Sequence, residues 1–207
     1  MSEKKLKVTV FSDYICPFCY IGFYRVEQLK ENYDLEIEWR PFEIHPETPK
    51  EGTELNTLPF PKEYLDMMKV NIKRLADDVG ISLKLSDKLP NSRLALYLSE
   101  FARKKGKFEE FHKLVFDSYW KEGKDIGDQA FLLALAEKVG LSRNEVLDYI
   151  DSEEPKSELM KSLKDLKGYG INGVPTFIIG DKIVVGAQPY DVFKKVIENA
   201  LQNEIVI

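Results

Sequence analysis

The sequence predicts an α/β fold whose sheet is assembled from both ends of the chain, with a long helical stretch between them. Three observations carry this reading. The first residues run in the order β-α-β, the last in the order β-β-α, and almost everything from 62 to 167 places apolar residues at helical spacing. A sheet begun at one end and completed by a hairpin at the other, with helices on its faces, gives every amphipathic element something to bury against.

The elements follow in order. Leu6-Lys7-Val8-Thr9-Val10-Phe11 is β-prone and mostly apolar, and it stops at Ser12-Asp13. Tyr20, Phe23, Tyr24, Glu27 and Lys30 then fit a helix in which Gly22 is the one weak helix former. Residues 35–42 alternate like a half-buried strand. A loop with Pro46, Pro49, Gly52, Pro59 and Pro61 marks a boundary, so that 1–60 and 168–207 are expected to form one discontinuous domain and 61–167 an all-helical insertion. Within the insertion, Leu65, Met68, Ile72 and Leu75 form one stripe, Leu94, Leu98 and Phe101 another, followed by Phe108, Phe111, Leu114, Val115 and Tyr119, then Phe131, Leu132, Leu135, Ala136 and Val139. Gly80, Gly106, Gly123, Gly140 and Pro155 punctuate these helices. Asp128 and Ser142 are expected N-caps, the second with Glu145 as a capping box. Gly180-Asp181 between two β-prone runs predicts a hairpin, and a helix from about Tyr190 to Gln202 closes the chain.

A length of 207 residues, with 43% hydrophobic and 31% charged, is that of a soluble globular protein large enough for a good core. The net charge of −5 argues against a nucleic-acid partner. Arg103-Lys104-Lys105 is answered by Glu109-Glu110 and reads as a solvated helix face. No signal-type apolar stretch precedes Leu6 and no run is long enough to span a bilayer, so a cytoplasmic protein with no membrane partner is expected.

The only cysteines stand together as Cys16-Pro17-Phe18-Cys19, between the first strand and the first helix. Pro17 suits the first helical position, where a missing N–H is no loss. That places Cys16 at a helix N-terminus, whose unpaired N–H groups and dipole favour negative charge on its sulfur. Cys19, one turn on, shares the helical face and can close a disulfide with Cys16. A zinc site would need two more ligands; there is no second cysteine pair, and His45 and His112 stand apart from each other and from the motif, so no metal is expected. A lone pair of this kind in a compartment that keeps thiols reduced points to catalysis more than to a structural bridge. Gly173-Val174-Pro175-Thr176 is the second signal. Proline cannot donate to a sheet ladder, and X-Pro is the bond for which cis is cheap, so a cis Val174–Pro175 bond is expected. It would turn the Val174 N–H and C=O outward to pair with an extended peptide and bring the ring of Pro175 near the Cys16 sulfur.

Taken together, four strings resemble the DsbA-like branch of the thioredoxin superfamily, and within it the FrnE-like subfamily: Ser12-Asp13-Tyr14-Ile15-Cys16-Pro17-Phe18-Cys19-Tyr20-Ile21-Gly22, Trp39-Arg40-Pro41-Phe42-Glu43-Ile44-His45-Pro46, Gly173-Val174-Pro175-Thr176-Phe177 and Gly186-Ala187-Gln188-Pro189. The resemblance spans essentially the whole chain. It implies a thioredoxin-like fold interrupted by a helical domain and thiol–disulfide exchange on protein or small-thiol substrates. By it Cys16 attacks, Cys19 resolves, Pro17 and Phe18 form the active-site loop, and Val174-Pro175 faces the substrate. No cofactor is implied beyond the redox-active cysteine pair, with glutathione a candidate cosubstrate.

Two departures qualify the resemblance. Relatives often carry a buried acid six residues before the first cysteine, as proton acceptor for the resolving thiol; Val10 holds that position, leaving Asp13 and Glu38 as candidates. Strongly oxidising relatives have histidine beside the second cysteine, whereas Phe18 supplies neither charge nor hydrogen bond, so a milder oxidant is expected. Two other functions fit the sequence less well. A glutathione-dependent isomerase or transferase of the kappa-class or hydroxychromene-carboxylate type would place serine where Cys16 stands. A non-enzymatic, chaperone-like binding module would leave the thiols incidental.

Overall fold

The computed structural model describes residues 5–57, 59 and 61–204. Strand β1 (Leu6–Ser12) leads into helix α1 (Pro17–Lys30) and strand β2 (Leu35–Pro41). Two short strands, β3 (Thr53–Glu54) and β4 (Lys88–Leu89), flank helix α2 (Lys62–Asp78). Helices α3 (Arg93–Lys104), α4 (Phe108–Trp120), α5 (Gln129–Lys138), α6 (Arg143–Asp151) and α7 (Glu154–Gly168) follow. Strands β5 (Thr176–Ile179) and β6 (Lys182–Val185) and helix α8 (Tyr190–Glu204) complete the order.

The main sheet has the order β2-β1-β5-β6, so the two ends of the sequence meet at its centre. β1 runs parallel to β2, with Val10 opposite Trp39, and antiparallel to β5, with Val10 opposite Phe177. β1 and β2 are joined through α1, as a parallel pair requires a crossover. β5 and β6 form the hairpin expected at Gly180-Asp181, and Gly180 has a positive φ of 58° that a side chain would strain.

Periodicity does not reveal a small sheet that ties the helical stretch to the loop before it. β3 and β4 pair in a second, two-stranded sheet, too short for any alternation to register. Asp128 caps α5 as expected, its carboxylate accepting from the N–H groups of Ala130 and Phe131 at 2.8 and 3.3 Å. Ser142 does not: it stands at the N-cap of α6 with extended backbone but makes no side-chain hydrogen bond to the helix, so the capping box with Glu145 is not formed. Glu145 instead reaches Lys105 at 2.6 Å, a charged partner that outcompetes a backbone N–H.

One core cluster runs from Val8 and Val10 through Phe23 and Val26 of α1 to Leu98, Phe111, Phe116 and Leu132 of the helical stretch. At Gly22, α1 lies close against the start of β5. A Cβ there would lie 3.1 Å from the Phe177 ring and 3.4 Å from Pro175. Phe177 cannot easily give way, being 1% exposed and packed edge-on against Phe193. Gly22→Ala is therefore expected to lower stability by about 1 kcal/mol or more through overpacking, although an unhindered helix would gain about that much from the same change. Urea unfolding of the variant checks the sign, and a more stable variant would contradict the packing argument. Among the described residues no helix is long and apolar enough to cross a membrane.

Candidate active site

The reactive loop is fixed at both ends by backbone bonds. Cys16 is the N-cap of α1, with extended backbone (φ −87°, ψ 116°), and Pro17 occupies the first turn. The Cys16 carbonyl accepts from the N–H groups of Cys19 and Tyr20 at 3.0 and 3.2 Å, which starts the helix. The Cys16 N–H donates back to the Asp13 carbonyl at 3.3 Å. Both cysteines are free thiols. Cys16 is 5% exposed and Cys19 wholly buried, so a reagent reaches the pair through Cys16.

Across from Cys16 lies the start of β5. The Val174–Pro175 bond is cis. The Val174 carbonyl accepts from the Cys16 thiol at 3.6 Å rather than facing outward, while the Val174 N–H has no partner among the described residues. Phe18, half-buried, packs against a cluster of Ile21, Ala187 and Ile72 and Leu75 of α2, which brings the Gly186-Ala187-Gln188-Pro189 loop and α2 to the rim of the site.

The string at residues 39–46 forms the back wall. Phe42 N–H donates to the Ser12 carbonyl at 2.9 Å, and Ile44 N–H donates to an Asp13 carboxylate oxygen at 2.8 Å. The other Asp13 oxygen accepts from Ile15 N–H at 3.4 Å. Asp13 is thus wholly buried between the cysteine loop and the loop after β2. Glu38, the other candidate acid, is partly exposed and paired with Lys7 at 2.7 Å and Arg40 at 3.3 Å. Those cations hold it in place as a surface ion pair.

Burial raises the Asp13 carboxyl to about 6, against the opposing pull of the Ile44 N–H, the nearby Ser92 hydroxyl and the Ile15 N–H and with some help from the Glu43 charge. Burial likewise pushes the Cys19 thiol well above its ordinary value, the Cys16 thiol adding to the effect. The Asp13 N–H, 3.5 Å from the Cys19 sulfur, works the other way. The nearby Ser12 hydroxyl, buried and without a hydrogen bond of its own, opposes the rise as well.

The raised carboxyl has a stability signature. Below about pH 4 Asp13 is protonated whether the chain is folded or not; between there and about 6 the folded chain keeps a proton that the unfolded chain has released. Stability from this group is therefore lost as pH rises through about 6, by about 3 kcal/mol for the gap between 3.8 and 6. Asp13→Asn is expected to remove the loss, so the variant gains on the wild type between pH 4 and 7.5 in urea unfolding. Parallel pH curves for the two proteins would show that Asp13 is not held neutral.

His112 packs behind the residue that leads into the cysteine loop. Its Nδ1 is hydrogen-bonded at 2.8 Å to the Tyr14 hydroxyl, which burial keeps protonated. Burial, and secondarily the Arg103 charge, hold His112 well below its usual value, hence neutral at physiological pH. Its ring lies among Trp39, Phe108 and Phe116 at centroid distances of 4.6 to 4.8 Å. Trp120 Nε1–H donates to the Tyr14 carbonyl at 2.8 Å, and Tyr20 and Tyr24 donate to Asp117 at 2.8 and 3.0 Å. Helix α4 thereby clamps the cysteine loop from outside the sheet. No local spacing announces these contacts, because Tyr14 and His112 stand 98 positions apart.

Comparison with known proteins agrees with this geometry. The chain is 33% identical to the uncharacterized protein YwbO of Bacillus subtilis over 196 residues, covering 93% of this chain and 96% of that one. It is 26% identical to 2-hydroxychromene-2-carboxylate isomerase of Sphingobium xenophagum over 190 residues, 89% and 94% of the two chains. Among solved structures it is similar to a probable DsbA oxidoreductase of Streptomyces coelicolor, with a TM-score of 0.84 at 24% identity over 95% of this chain and 90% of that one. It is also similar to the cytosolic disulfide reductase DsbM of Pseudomonas aeruginosa with GSH, with a TM-score of 0.67 at 18% identity over 95% and 100%. At such identities the two structures show a shared fold. Residues 7–198, from β1 into α8, match the DSBA-like thioredoxin domain, and the chain belongs to that family.

Proposed function

We propose that the protein is a thiol–disulfide oxidoreductase that exchanges disulfides with protein or small-thiol substrates through Cys16 and Cys19. The observation that carries this is the pairing of a rim thiol at a helix N-terminus with a wholly buried thiol one turn further along. In the reductive direction the Cys16 thiolate attacks a substrate disulfide, one S–S bond breaks as another forms, and the first substrate thiolate leaves and takes up a proton. Cys19 then loses its proton and attacks the Cys16 sulfur. The second substrate thiolate departs, and the Cys16–Cys19 disulfide holds the two electrons' worth of oxidation. The reverse sequence donates a disulfide. Asp13 is the candidate acceptor of the Cys19 proton, in the role left open by Val10, and the unpartnered Val174 N–H is a ready donor to an extended substrate backbone.

The same reading assigns the chain to the FrnE-like subfamily, treats 61–167 as a helical insertion domain, and places the protein in the cytoplasm, with the likeness to a cytosolic disulfide reductase in support. Glutathione is the candidate small-thiol cosubstrate. The test is the thiol–disulfide equilibrium of the pair in glutathione buffers, read by mass spectrometry. A single two-electron transition with loss of two hydrogens is expected. A Cys16 that only carries glutathione, with no intramolecular disulfide, would favour the second reading, a glutathione-dependent isomerase. That alternative draws its support from the relative named as a hydroxychromene-carboxylate isomerase.

A further inference from the structure

Helix α7 presents a cationic face that no carboxylate among the described residues neutralises. Ser157, Met160, Lys161, Leu163, Lys164 and Lys167 line a surface groove of about 560 Å³. At helical pitch Lys161, Lys164 and Lys167 share the outward side. Of the helix's acids, Glu158 and Asp165 lie one turn from Lys161 but are engaged by other cations, Glu154 and Glu158 with Lys104 and Asp165 with Arg40. None of the three lysines makes an ion pair or side-chain hydrogen bond among the described residues. Lys104, Lys105, Lys113 and Lys121, by contrast, each reach a carboxylate. On a chain of net charge −5, such a face is a local field of opposite sign to the whole, and it selects anionic partners.

The helix that carries the groove also packs against the apolar cluster that underlies the site. Leu163 on its flank and Leu166 on the buried side of α7 belong to the same apolar cluster as Val174, whose carbonyl faces the Cys16 thiol. Met160, 57% exposed beside the lysines, gives a small apolar anchor of the kind protein interfaces use. One methionine is little to insert into a bilayer, which sets an anionic membrane behind an acidic protein. We propose that this face of α7 docks an acidic protein partner whose disulfide or thiol is exchanged at Cys16. The proposal rests on the oxidoreductase reading.

The experiment compares two disulfide-bonded peptides of the same length, one flanked by aspartates and one by lysines, with uncharged hydroxyethyl disulfide as reference. Wild-type protein is expected to exchange the acidic peptide about tenfold faster than the basic one at low salt, with the difference fading as salt screens it. The variant K161Q/K164Q/K167Q is expected to lose that preference while keeping its rate on hydroxyethyl disulfide. Equal rates for the two peptides, or a preference that persists in the variant, would overturn the docking proposal and leave the chemistry standing. Binding to phosphatidylserine vesicles without any peptide preference would overturn it in favour of a membrane. No exchange even with hydroxyethyl disulfide would remove the oxidoreductase reading, and the docking proposal with it.

Discussion

Cys16→Ser is expected to abolish disulfide exchange, lowering the rate by about a thousandfold or more, the scale on which deleting a covalent nucleophile acts. The physical reason is specific to its position. Cys16 is the thiol at the rim, it stands at the start of α1 where the helix favours a developing anion, and its sulfur lies against the Val174 carbonyl. A serine there keeps the volume and the hydrogen bond but cannot form a mixed disulfide. Cys19→Ser has a different outcome. The first attack proceeds and the second cannot, so covalent complexes with the substrate accumulate. Rates with a small disulfide, and a non-reducing gel or mass spectrum for trapped complexes, read the two variants. Exchange surviving in Cys16→Ser, or no trapped species in Cys19→Ser, would sink the assignment of attacking and resolving thiols.

Phe116→Ala is expected to be the most damaging of the packing changes, costing about 3–5 kcal/mol, a large share of the stability of an ordinary domain. Phe116 is wholly buried. Its ring stands 4.8 Å from Tyr14, 4.8 Å from His112, 5.6 Å from Tyr20 and 5.7 Å from Phe23, so one side chain on α4 touches the cysteine loop and α1 together. Removing it leaves a cavity beside rings whose orientations are held by hydrogen bonds to His112 and Asp117, which limits how far they can collapse into the space. Urea unfolding gives the number. A loss below about 1 kcal/mol would show that the cluster repacks freely.

Much of this was readable from short-range pattern. The order of the main elements, the placement of Cys16 at a helix start, the hairpin at Gly180-Asp181 and the Asp128 cap each follow from residues within a few positions of one another. The β3–β4 pair was not, since two residues per strand leave no period to detect. Nor was the missing capping box at Ser142, where the Glu145 side chain is paired with Lys105 at the end of α3. His112 shows the limit most plainly. Read in its own stripe, it is a polar residue beside Phe108, Phe111 and Val115; only the fold sets it against Tyr14. Asp13 was legible as a candidate acid by proximity, but what distinguishes it from Glu38 is burial and two backbone donors, one of them Ile44 from another loop.

The sheet order carries a consequence for how the molecule comes into being. The middle of the sheet joins Val8 to Ile179 and Val10 to Phe177, so its two central strands are almost as far apart along the chain as the chain allows. The helices α3 to α6 instead touch neighbours close in sequence and can consolidate early, since local contacts form fastest. During synthesis from the N-terminus, the segment bearing both cysteines emerges first and waits, with one flank of β1 open, until the last strands are made. Through that interval Val174 is not yet beside Cys16, and the thiols are more accessible than they will ever be again. A nascent chain of this protein is thus most open to stray oxidation of Cys16 and Cys19 before its last strands arrive.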